Sequence, residues 1–448
     1  ATAYALFAHA VVGNVYKNAT WTKAKNAGYT QVYDGEYAAA AKITVNSGTY
    51  TATSATSTAY AVGSTTRAKT TLSSKTSVEA NRELGGNAEA YPVLILHGGT
   101  FRGETGTTTS GAVLSGGYTT IDGGTYTAYS GSTTSRGIYA TAGTLDISNV
   151  EISASSTSTA YGIDLSCGIS DYTGFKYYAD ATLKNLTVTA TTRTGNEADA
   201  VLMEVTKRPL STTTYNALSS SNKTKYGAIY QYGEYAVGAK CSIIGGTYTA
   251  TAQGANAFGV SVNSASLCED VNGDGVLAIG EGDLTISNAK FTVSTKTSAT
   301  AYGVWAGGKT SISNSTFNVT SATSTAYGLR AYYGKPTIKN AIFDVTATTE
   351  TALGLRAEAR MSTVNTSNSP HTTNFSGVEG YELVGEIETE ENTVTVRANG
   401  GNTAYGIQVI SAKGTGTKTT ADAGLAFKGD HACAGTATVN GGKYTATA

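Results

Sequence analysis

Twelve residues near the middle of the chain carry its densest chemistry. Asp270, Asn272 and Asp274 alternate with other residues, Gly275 and Val276 follow, and Glu281 closes the run. Side-chain oxygens at positions 1, 3 and 5, a main-chain carbonyl at 7 (Val276), a bidentate carboxylate at 12 and glycine at 6 match a Ca2+ loop. Carboxylates gathered with no lysine among them repel one another unless a cation sits between them. The spacing predicts one structural Ca2+ that orders an insertion; the plain alternative is an ion-free Asx/Gly surface turn.

A second grouping is Trp305, Arg330 and Arg356, spaced by 25 and 26 residues. If those positions stack, Trp and Arg form a column able to contact a glycan or a neighbouring filament. The plain alternative is a column that covers surface. Glu382 and Glu386 lie 26 after Arg356 and Arg360, which predicts ion pairs between successive coils.

No constellation for catalysis emerges. The histidines His9, His97, His371 and His431 stand apart, and neither HExxH nor GxSxG occurs. Gly98-Gly99 lacks the Gly-Lys-Ser/Thr ending of a phosphate loop. Cys167, Cys241, Cys268 and Cys433 are far apart, with no CxxC; one or two disulfides are compatible with the sequence, with no pairing assigned. The chain is expected not to be an enzyme.

The elements that must position these residues are strands. Among 448 residues, 76 are Thr, 53 Gly and 29 Tyr, against 4 Pro and 2 Met. Thr, Gly and Tyr are poor helix formers, whereas Thr and Tyr suit a pleated surface. A net charge of −1 leaves no electrostatic footprint for nucleic acid. The apolar runs fall far short of the ~20 residues of a membrane span. Low charge and seven N-x-S/T sequons, Asn185, Asn314 and Asn318 among them, lean towards an extracellular, cell-surface setting. With no initiator Met and no leader, the chain is expected to be a processed form or an excised piece.

A repeat organises these strands. Ile286, Ile312 and Ile338 recur every 26 residues, and so do Phe291, Phe317 and Phe343. The same half-pattern pairs Val45 with Tyr50, Leu96 with Phe101, Ile121 with Tyr126, Ile147 with Ile152, Leu183 with Val188, Ile243 with Tyr248 and Val439 with Tyr444, ten copies in all. Each unit reads as three short strands, such as 284–286, 290–294 and 301–306, with alternating sides in the second. In nine copies the first turn carries Gly or Asn at its second position (Gly98, Gly123 and Asn149 among them), so that corner is expected at positive φ. Coiling the chain pairs each strand with its counterpart one repeat away, in parallel, which is an all-β solenoid; right-handed crossover is expected. Outward hydroxyls, as at Thr189 and Thr191, Thr249 and Thr251, Thr292 and Ser294, form a ladder expected to bond between coils.

In repeat length and turn pattern the chain resembles the right-handed parallel β-helix, or pectin-lyase-like, architecture of bacterial and archaeal surface adhesins and fibre proteins. The resemblance implies a single elongated domain over 1–448, and one coil per ~26 residues, with an allowance for insertions, predicts about 12–15 coils. Irregular spacing places lateral insertions near 167–180, 207–234 and 265–283 and an irregular segment at 361–391. The Ca2+ loop by itself resembles that of dockerin modules, which carry two such loops with helices; here one loop runs into a strand, so a dockerin's partner is not carried over.

Terminal coils expose unpaired edges and an apolar cross-section. The chain opens at Thr2, Tyr4 and Leu6 in third-strand register and ends at Val439, Tyr444 and Thr445 in second-strand register. Together the two ends nearly rebuild one coil. Head-to-tail self-assembly into a cell-surface filament is the expectation, because a heterologous contact that does not close makes a fibre. The alternative is a segment of a long adhesin that binds glycans or proteins.

Overall fold

The computed structural model describes residues 2–12, 38–64, 68–69, 89–169, 176–208, 220, 235–263, 266–268, 278–365, 378–417 and 426–448. These form a parallel β-solenoid. The second strands make one eleven-stranded sheet running from Thr49–Ser54 to Lys443–Thr447. First and third strands form two further ladders, which share Ala301–Ser313: it turns a corner and pairs as a third strand with Asn256–Val262 and as a first strand with Gly282–Ser287. Phe291 faces Phe317 and Phe317 faces Phe343 in register, so the 26-residue spacing is one rung.

The interior is built from repeated small choices. Aromatic rings on successive second strands stack face to face, with centroids 4.9 Å apart for Phe291–Phe317 and 4.8 Å for Phe317–Phe343. Their spacing is the strand spacing of a sheet. Room for this column comes from glycine in the third strand: a Cβ on Gly162 would lie 2.3 Å from a Val188 methyl, and one on Gly354 2.1 Å from a Val396 methyl. At the corner after the second strand, buried hydroxyls take up turn carbonyls; Ser130 Oγ donates to Thr108 O and Thr295 Oγ1 to Ala299 O. These bonds satisfy groups that would otherwise be buried without partners.

The first corner takes three forms, one of which has both glycines at positive φ, at Gly245-Gly246 (70° and 94°) and Gly441-Gly442 (81° and 111°). Asn149, Asn185, Asn288, Asn314 and Asn340 adopt φ of 47–56°, the left-handed region expected at that position. At Gly98-Gly99 and Gly123-Gly124, however, positive φ falls on Gly99 (117°) and Gly124 (103°), one residue later than expected. A side chain is disfavoured at such angles, so the second glycine, not the first, sets that turn.

Among the described residues there are eleven rungs, against the twelve to fifteen expected. Antiparallel hairpins leave the rod between third and first strands at seven places among the described residues. Three have their roots at the insertions read from spacing. Ala68–Lys69 with Glu89–Ala90, and Thr403–Thr417 with Ala426–Ala434, were not foreseen. The segment read as irregular contains, where described, the hairpin of Thr351–Asn365 with Val378–Val384 and the first strand of a rung, Glu386–Thr389. That rung escaped the repeat count. Thr389 stands opposite Ile338 and Val396 opposite Phe343, so its turn is two residues longer and its first apolar position is a threonine.

Candidate functional site

Four of the five expected Ca2+ ligands, Asp270, Asn272, Asp274 and Val276, lie outside the described residues. The segment's stem is described: Ser266–Cys268 pairs antiparallel with Ala278–Gly280. Glu281 follows that pairing, at the root of the hairpin beside the rod. Burial pushes its carboxyl up, Asp283 adds to the shift and Lys309 opposes it. The oxygen-only donor set suits a hard cation. Among the described residues no three His, Cys, Asp or Glu side chains are grouped to hold a metal.

Trp305, Arg330 and Arg356 do stack in register on the outer face of the third sheet. Beside them Phe258, Tyr302 and Tyr327 form a second stacked row, with centroids 4.8 and 5.0 Å apart. The Arg330 guanidinium lies 4.6 Å from the Trp305 ring and donates two hydrogen bonds of 3.0 Å to Glu358. Arg356 reaches the same carboxylate at 3.1 Å. The expected inter-coil pairs do not form: Arg356 is taken by Glu358, Arg360 lies over the Tyr332 ring, and Glu382 pairs with His431. Glu358 wins because it lies two residues after Arg356 on the same strand, on the same face, and one step along from Arg330 on the neighbouring rung. The column is thus a closed network, with Trp305 held edge-on against Tyr302 and Tyr332.

The same outer face carries an acidic group that the sequence reading passed over. Asp164 is fully buried and paired with Arg136, which sits over the Tyr139 ring at 4.5 Å. Tyr161 donates to Glu197, and Ser166 to Glu204. Asp199 is also fully buried and neither of its carboxyl oxygens has a hydrogen-bond partner. Burial pushes Asp164 up to about 7, against the pull of Arg136. For Asp199 burial acts first, Glu197 and Asp164 act in the same sense, and the Ser261 hydroxyl opposes them weakly, so its acid form is strongly favoured. The signal was in the motif: Tyr161-Gly-Ile-Asp164 has the form of Tyr327-Gly-Leu-Arg330, so Asp164 and Arg330 occupy one column. Both aspartates are sealed from solvent, so they act on the fold and not on a solute.

The end residues lie where the repeat puts them. Among the described residues Ala3–Ala8 pairs on one side only, with Ala59–Ser64, and Tyr4 stacks on Tyr60. Thr2 is exposed, Leu6 packs on the apolar interior, and Phe7 is 42% exposed. On the last rung Tyr444 packs on the same interior and Thr445 faces Arg397, while Val439 is 41% exposed. Cys167, Cys241 and Cys433 are free thiols, the first two buried. No helix among the described residues is long and apolar enough to cross a membrane. No protein-family model, curated protein or solved structure matches the chain.

Proposed function

We propose that this chain is a non-catalytic structural rod of the cell surface, lengthened at its end rungs by further rungs of the same kind into a filament. The observation that carries this reading is the continuous apolar interior, which reaches Leu6 at one end rung and Tyr444 at the other. Phe7, Tyr405, Val409 and Val439 on those rungs are the large apolar side chains left open. Main-chain bonds across a junction, at about 0.5–1.5 kcal/mol each, roughly offset the ~4–15 kcal/mol cost of association. Burial of those side chains then decides the balance, and assembly depends on concentration.

Electron microscopy and sedimentation of the purified chain test this. Uniform unbranched fibres that lengthen with concentration support stacking of copies. Monodisperse short rods at all concentrations overturn it and favour the second reading, a stretch of a longer adhesin whose next rungs come from its own sequence. The extracellular setting rests on the low charge and the sequons. For the loop at 270–281 we propose one Ca2+ that orders the hairpin tip. Calcium should raise the melting temperature of the wild type and not of Asp270→Ala; an equal shift in both removes the site.

A further inference from the structure

The rod's edge is not evenly winged. Hairpins leave it at Ala68–Lys69 with Glu89–Ala90 and at Cys167–Ile169 with Lys176–Lys184. Between them, two rungs pass from third to first strand by tight links, Ser115 to Tyr118 and Ala140 to Gly143. The gap is an open cleft of about 320 Å³. One wall is Tyr91 and Tyr118, rings 4.8 Å apart and inclined at 52°. The other is Tyr177 and Tyr178, the latter backed by the Lys240 ammonium 4.9 Å from its ring. Ala142 and Gly143 form the floor, and Thr144, Lys176 and Asp180 the rim.

Tyr118 is the most exposed large apolar side chain among the described residues, at 47%, and it is not on an end rung. Stacking of rods therefore does not cover it. Thr119, next to Tyr118, is in register with Leu145, and Leu145 with Ala181, so the strands that carry Tyr118 and Asp180 are two rungs apart. Two strand spacings are about 9.6 Å. A ring lying between aromatic walls, in contact at about 3.5–4.0 Å on each face, fits that width. Tyrosine offers such a ring an apolar face and a polar tip. At the rim Asp180 can accept hydrogen bonds and Lys176 can donate them, and Lys240 stands in register with Asp180 behind Tyr178. A cleft of this size is at the small end of ligand sites.

We infer that this cleft binds one neutral hexopyranose unit of a glycan, its apolar faces between the tyrosine walls and its hydroxyls on Thr144, Lys176 and Asp180. The inference does not depend on filament formation, and its failure is read separately. The experiment is an array of defined neutral and acidic oligosaccharides, followed by calorimetric titration of the best-retained neutral one. Tyr118→Ala and Tyr178→Ala are each expected to weaken binding at least tenfold with an unchanged melting temperature. Tyr129→Ala, on the second sheet, should bind as the wild type does, and micrographs of Tyr118→Ala should match those of the wild type. Retention of no neutral glycan, a preference for acidic ones, or full affinity in Tyr118→Ala would overturn the assignment.

Discussion

Two stretches of the third sheet's outer face, built on one motif, reach opposite electrostatic outcomes. In the C-terminal half Arg330 and Arg356 share Glu358 and lie against Trp305 and Tyr327. Every charge there has an opposite partner or a ring face. In the N-terminal half a single Arg136 serves Asp164, while Asp199 is buried with no cation to pair with and Glu197 beside it. The fold requires only that the position project outward next to its neighbours above and below. What the column does then depends on the sum of charges stacked in it, since each buried side chain is desolvated by the adjacent rungs.

The largest test breaks the balanced half. Removing one member of a buried charge network costs about 3–5 kcal/mol, because the partners keep their desolvation and lose their compensation. Glu358 is 10% exposed at its side chain and Arg330 19%. Glu358→Ala should therefore lower stability by about 3 kcal/mol in chemical denaturation. It should also shift Trp305 emission, because Arg330 is released from the ring. Native stability in that variant would mean that the aromatic rows alone hold this face.

The unbalanced half should respond with the opposite sign. A carboxyl whose folded pKa lies above its unfolded value keeps its proton longer in the folded chain. Stability should then be highest in acid and fall as pH rises from about 4, where the unfolded carboxyl ionises, to about 7, where the folded Asp164 does. Asp199 extends the fall in the same direction. Asp199→Asn removes one of the two ionisations and should raise stability at pH 8 by about 1–3 kcal/mol, the scale of an unsatisfied buried group. At pH 4.5 it should change little. A melting curve in which wild type and Asp199→Asn differ equally at both values would show that the carboxyl finds a partner in solution.

These halves also separate what the sequence displays from what it conceals. Phe291, Phe317 and Phe343 display the rung because an inward ring must recur wherever the chain returns to the same corner. The rung at Thr389 and Val396 is concealed because a turn two residues longer is absorbed at the surface, while the buried threonine satisfies itself through Asn440. Arg330 and Glu358 are 28 residues apart, and Asp164 and Arg136 likewise. Such pairs join neighbouring rungs offset by a step along the strand, which a search at a fixed 26-residue interval passes over. The Ca2+ pattern is the reverse case. It is legible residue by residue, and the hairpin stem that places Glu281 at its root is not.

The smallest effect marks the limit of the comparison. On the outer face of the first sheet Lys339 reaches Glu390 at 2.7 Å, with both side chains more than half exposed. The pair also joins neighbouring rungs, directly opposite and not offset as Arg330 and Glu358 are, and it keeps its water. Exposed pairs contribute about 0.2–1 kcal/mol, less as salt screens them. Lys339→Ala should lie within about 0.5 kcal/mol of the wild type at 0.15 M salt, and the residue of that difference should vanish at 1 M. Glu358→Ala should keep most of its loss at the higher salt. If both variants lost their effect together, burial by adjacent rungs would not be what distinguishes the faces, and the contrast between the two halves of the third sheet would reduce to a count of charges.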